Sequence, residues 1–134
     1  MPIDLRRSAS AFPGTLSPVM CPLSQINLAA GASVNLDTFN ISAGTTARLN
    51  KIHVASSAAC KWEIRAVDNG IVTAPFDVII TPPGSDDWTV PEEPIDDEFI
   101  MLRGSLTSNW RITVTNLDSA NAADVYATPY WYEE

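Results

Sequence analysis

The residues Cys60-Lys61-Trp62-Glu63-Ile64-Arg65-Ala66 alternate without a break between apolar and charged side chains. A period of two sends successive side chains to opposite faces, so this stretch can bury its apolar set only as a strand. Asp68-Asn69-Gly70 follows at once, and Asn and Gly tolerate the positive φ of a tight hairpin turn. The same period recurs along most of the chain. Residues 34–41 place Val34 and Leu36 on one face and, after an offset, Phe39 and Ile41 together. In residues 46–55, Leu49 is out of phase with Ile52 and Val54, which predicts a bulge near Asn50. Residues 71–80 read as a strand with Phe76, Val78 and Ile80 on one face, at an edge or bent at Pro75. Thr81 to Pro94 reads as a long loop, with room for a short strand at 87–90. Residues 95–103 resume the sheet. Residues 109–116 turn Trp110, Ile112 and Val114 inward, and residues 123–132 oppose Val125, Ala127 and Trp131 to Tyr126, Thr128, Tyr130 and Tyr132.

Seven or eight strands without an amphipathic helix predict an all-β, antiparallel sandwich of jelly-roll kind. With 134 residues, 46% of them hydrophobic, the chain can bury roughly two thirds of its unfolded surface, which is enough for one core. Ten prolines and little Lys or Glu exclude a coiled coil. The expected division is an extended N-terminal arm at 1–32 and a sandwich domain at 33–134. Pro2, Pro13, Pro18 and Pro22 break regular structure in the arm. Yet Phe12, Leu16, Met20 and Leu23 make it more apolar than a flexible linker. Such an arm either binds a partner or lies over its own domain.

Chemistry is sparse. The net charge of -8 argues against a general nucleic-acid binder, whose affinity comes largely from phosphate contacts. No stretch is long and apolar enough to span a membrane, and residues after Met1 lack the apolar core of a signal peptide. The expected site of synthesis is therefore the cytoplasm. Cys21 and Cys60 read as free thiols. His53 is the sole histidine, so neither a zinc site nor a nucleophile-histidine pair has its parts, and no catalytic residue, metal or cofactor is expected.

The strongest local anomaly is acidic. Asp86, Asp87, Glu92, Glu93, Asp96, Asp97 and Glu98 crowd thirteen residues without a base among them. The run suits a solvated edge, a contact patch for a basic surface, or an irregular calcium site. Trp88, Tyr130 and Trp131 are the candidate surface aromatics, as an interface or as a sugar platform.

With its Pro-interrupted arm and stretches such as TARLNKIHVASSAACKWEIRAVDNG and NWRITVTNLDSANAADVYATPYWYEE, the chain resembles the small accessory proteins of tailed-bacteriophage virions. The likeness is greatest to jelly-roll head decoration, or cement, proteins. That resemblance implies a non-enzymatic structural protein on the capsid exterior. It would bridge subunits of a major capsid protein, usually as a dimer or trimer, with no nucleic acid or membrane as partner. The alternative is a carbohydrate-binding or adhesion module of a phage tail or fibre.

Overall fold

The computed structural model describes residues 17–90 and 101–134. Eleven strands account for its regular structure: β1 (Ser17–Met20), β2 (Leu23–Leu28), β3 (Ser33–Asp37), β4 (Thr46–Ser56), β5 (Cys60–Asp68), β6 (Ile71–Val72), β7 (Asp77–Thr81), β8 (Gly84–Thr89), β9 (Met101–Arg103), β10 (Asn109–Asn116) and β11 (Ala123–Glu133). All pair antiparallel, in two sheets.

In the first sheet β1 and β2 lie end to end against β11, β11 pairs with β4, and β4 carries β8 and β9 end to end on its other side. In the second, the order is β3, β10, β5, with β6 and β7 sharing the outer side of β5. Counting end-to-end pairs as one row gives eight rows. In chain order the first sheet reads 1-8-3-6 and the second 2-7-4-5. That connectivity is the jelly roll, two Greek keys wound into facing sheets.

The alternating residues meet between the sheets. Trp62, Ile64, Trp110, Ile112 and Val114 from the second sheet face Ile52, Val54, Val125, Ala127 and Trp131 from the first, and all are buried. Each buried Val or Ile among them stabilises the fold by about 1.5–3 kcal/mol on transfer from water. Cys60 lies in the same layer, and both cysteines are free. The indole N–H of Trp62 donates to Thr81 Oγ1 at 2.8 Å, that of Trp131 to Glu133 Oε2 at 2.8 Å, and that of Trp88 to Asp77 Oδ2 at 2.5 Å. The Trp88 bond ties β8 of one sheet to β7 of the other. Trp110 is fully buried, and its N–H meets no acceptor among the described residues.

Local sequence explains the corners. Asn69 and Gly70 adopt φ of 51° and 85° and join β5 to β6 as a two-residue turn. The expected bulge is present: Tyr130 faces Lys51 while Trp131 faces Leu49, which leaves Asn50 as the extra residue of β4. Asn116 is wholly buried at the end of β10. Its Nδ2 donates to the carbonyls of Leu28 and Asn121, and its Oδ1 accepts from the Asp118 amide.

Several expectations are corrected. Residues 71–80 are two short strands. Ile79 and Thr81 turn inward, while Val78 and Ile80 face out. The break at 73–76 resets the phase, and the Trp62–Thr81 hydrogen bond fixes it. Phe39 lies beyond the end of β3 and is exposed, although Ile41 is buried. Residues 84–89, expected as loop with room for a short strand only at 87–90, form β8 along β4. Within the segment expected as an arm, residues 17–28 contribute β1 and β2, both paired with β11.

Candidate interaction surface

The two outer faces of the sandwich differ. On the second sheet, side chains from neighbouring strands satisfy one another. Arg111 donates through Nε and Nη2 to the two carboxylate oxygens of Asp37 at 2.6 and 3.0 Å, and this pairing raises the guanidinium pKa. Thr113 Oγ1 donates to Asn35 Oδ1 at 2.8 Å, and the hydroxyls of Ser33 and Thr115 lie 2.6 Å apart. Across β3 and β10 this face is polar and internally paired, so a partner would gain little by desolvating it there; the exposed Val78 and Ile80 of β7 make its far edge apolar.

The first sheet presents aromatic and cationic side chains. Register sets them in rows across the strands: Pro18, Tyr132, Arg48 and Met101; then Met20, Tyr130, Lys51 and Thr89; then Thr128, His53 and Asp87; then Ser24, Tyr126, Ala55 and Ser85. Met20, Tyr126 and Tyr132 are exposed. The Lys51 ammonium lies 4.9 Å from the centre of the Tyr130 ring, a cation–π contact that holds both in place. The Asn50 bulge opens a groove of about 410 Å³ between the first two rows, lined by Pro18, Met20, Asn50, Lys51, Tyr130 and Tyr132. Tyr and Met around an open groove, with Arg48 in the row beside Tyr132, are side chains enriched at protein interfaces.

Of the other expected site residues, Leu23 is half-buried and packs against the core. Phe12 and Leu16 lie outside the described residues, as do Glu92, Glu93, Asp96, Asp97 and Glu98. Asp86 and Asp87 are exposed on β8. Asp87 Oδ1 lies 2.5 Å from His53 Nδ1, with both side chains about half exposed (50% and 47%). Among the described residues no group of three or more His, Cys, Asp or Glu could hold a metal ion, and no helix is long and apolar enough to cross a membrane.

Two of the aromatics expected on the surface are in the core. Trp88 is 4% exposed and Trp131 1%. Trp88 packs edge-on against Phe76, and Trp131 lies tilted against Phe39, with ring centres 6.3 and 5.3 Å apart. Neither can serve a flat sugar platform. The aromatic row that does face out, Tyr126, Tyr130 and Tyr132, was visible in the period of β11 as the set opposite Trp131.

The thiols offer no reactivity. Burial pushes the Cys21 thiol up, offset in part by a hydrogen bond with the Phe39 backbone. Burial does the same to Cys60 against hydrogen bonds from Ser56 and the Leu117 backbone. Both stay protonated at neutral pH. His53 stands on the outer face of the first sheet and Cys60 is buried in the second, so no Cys–His pair forms.

No protein-family model matches the chain, and no curated protein matches it by sequence. Solved structures resemble it in fold. A chain of the cyanophage Pam1 capsid asymmetric unit superposes with a TM-score of 0.51 at 13% identity, over 96% of this chain and 92% of that one. A chain from Bacillus endospore appendages, described as a family of disulfide-linked pili, superposes with a TM-score of 0.47 at 14% identity, over 95% of this chain and 97% of that one. At these identities the likeness is one of fold.

Proposed function

We propose that this chain is a non-enzymatic structural protein of a virus particle. It would bind the capsid exterior and bridge neighbouring subunits of the major capsid protein. The observation that carries the reading is the aromatic-cationic outer face of the first sheet, with the N-terminal segment running into its first strand. The jelly roll shared with a chain of a phage capsid supports it. In this reading the N-terminal segment, residues 1–32, is the main contact element, with its residues 17–28 held in β1 and β2. Phe12 and Leu16 precede β1, and Met20 stands at the groove beside Tyr130 and Tyr132.

Ordering an arm costs backbone entropy of about 1–2 kcal/mol per residue, so its attachment needs apolar contacts and many copies acting together. The exposed Asp86 belongs to the acidic run, which would add charge complementarity toward a basic shell surface.

The test is co-sedimentation with purified capsids that lack this protein. The full chain should pellet with the shell. A chain lacking residues 2–16 with Tyr130→Ala and Tyr132→Ala should stay in the supernatant while keeping its circular dichroism spectrum. Equal binding by the two proteins would overturn the reading.

A further inference from the structure

The second sheet ends in an edge that the fold leaves open. β6 and β7 pair with β5 on one side, and among the described residues nothing pairs on the other. Along this edge Ile71, Val72, Val78 and Ile80 are 73%, 44%, 47% and 68% exposed. An apolar edge with unpaired backbone groups is a template for a further strand. Natural sheets usually protect such an edge with lysine, proline or a covering segment. Here Pro75 stands before β7 and Asp77 Oδ1 accepts from the Val78 amide at 2.9 Å, but Ile79-Ile80-Thr81 has no such guard.

The surroundings of the edge narrow what can occupy it. The bond from Trp88 to Asp77 holds β8 beside β7, so Asp77 borders the apolar strip and the exposed Asp86 stands two residues from Trp88 along the adjoining strand. Pairing β7 with β7 of a second copy about a two-fold axis would bring these acids toward their counterparts. A suitable occupant has apolar residues at alternate positions, free backbone N–H groups and positive charge. Residues 3–12, Ile-Asp-Leu-Arg-Arg-Ser-Ala-Ser-Ala-Phe, meet those terms. They contain no proline or glycine and are bounded by Pro2 and Pro13. Ile3 and Leu5 alternate, and Arg6-Arg7 is the only adjacent pair of bases in the chain.

We infer that residues 3–12 of one copy add as an edge strand to β7 of a second copy. The sixteen residues ahead of β1 reach at most about 58 Å when extended. They start from Ser17, which pairs with Glu133 at the edge of the first sheet farthest from β8, and so from β7. Donor root and acceptor edge therefore lie on opposite sides of the sandwich. Such a contact is heterologous, so each copy can give one strand and receive another. Backbone hydrogen bonds supply affinity, as in other strand additions, while Ile3, Leu5 and the two arginines supply register and polarity. The inference rests on the arm being the contact element, but names a second copy as the partner of its first part. Its test contains no capsid, so its failure leaves capsid binding to be judged separately.

The experiment compares three purified proteins by sedimentation velocity over a wide concentration range: the full chain, a chain lacking residues 2–14, and Ile80→Lys. All described strands survive the truncation, and Ile80 is exposed, so thermal melts should be alike. The full chain should associate in steps with concentration, while both variants stay monomeric. A fluorescent peptide of residues 1–16 should bind the truncated chain. It should bind about tenfold more weakly once Ile80→Lys is added, because a charge on the edge opposes pairing. Its binding should also weaken as salt rises. A full chain that is monomeric throughout would overturn the proposal. If the peptide still bound the truncated chain in that case, the edge would be covered within one molecule. Undiminished association of the truncated chain, lost on Ile80→Lys, would mean that edges pair directly and would equally overturn it.

Discussion

Asn116→Ala tests how the two sheets are closed at one end. The side chain is fully buried where β10 leaves its sheet, and it serves three separate backbone segments. Nδ2 donates to Leu28 O at 3.1 Å, at the end of β2, and to Asn121 O at 2.9 Å, ahead of β11. Oδ1 accepts from Asp118 N at 2.9 Å. The backbone bonds of residue 116 itself, with Ala32 O and Gly31 N, survive the substitution, so the change isolates the side chain. Truncation leaves two carbonyls and one amide without these partners. A buried polar group stripped of its partner costs about 1–3 kcal/mol, and water entering the vacated space recovers part of it. The expected loss is about 3 kcal/mol, a large share of the 5–15 kcal/mol of an ordinary domain. For a chain of this length that corresponds to a fall in Tm of roughly 10 °C. Urea denaturation followed by tryptophan fluorescence measures it, with the slope on urea expected to be unchanged. A loss below about 1 kcal/mol would refute the reasoning, because the three segments would then be held by other contacts.

Three further outcomes are expected. Trp62→Phe should destabilise by about 1–2 kcal/mol more than Trp110→Phe in the same denaturation assay, since both rings are fully buried but only Trp62 loses an acceptor, Thr81 Oγ1. Gly104→Ala should cost about 2 kcal/mol or more, because a Cβ there would stand within van der Waals distance of the backbone carbonyl of Ser42; a melt equal to the parent's would disprove that approach. The Asp118 carboxylate accepts from the amides of Ala120 and Asn121, which lowers its pKa. Its contribution to stability is thus present above the unfolded value of about 3.9 and is lost as pH falls through the lower folded value. An NMR titration of its carboxyl carbon should show a midpoint below that of a model peptide.

Legibility in the sequence followed how sharply each strand's two faces differ. In β5 and β10 charged or hydroxyl residues alternate with large apolar ones, so Trp62, Ile64, Trp110 and Ile112 were placed correctly. The bulge at Asn50 was readable because Leu49, Ile52 and Val54 cannot share a face without it. In β7 the alternation of Val78 and Ile80 with Asp77 and Thr81 gave the opposite phase, and the inward set proved to be Ile79 and Thr81, with Thr81 accepting from the Trp62 indole. The acids beside Trp88 disguised β8 as a loop, since an edge strand can keep its aspartates in solvent while burying one ring. Alternation in β11 grouped Trp131 with Val125 and Ala127, yet the aromatic cluster at 130–132 led to its being expected at the surface; its burial follows the alternation. The outer face of the first sheet was not legible as a site. Its rows are assembled from β1, β11, β4, β8 and β9, and their adjacency is a property of strand order, which no local pattern encodes.

The most direct test of a structural role on a shell is quantitative mass spectrometry of particles purified from the chain's source. The account predicts the protein in the particle at a fixed, high ratio to the major capsid protein. Absence from the particle, or presence only in a few copies, would contradict it.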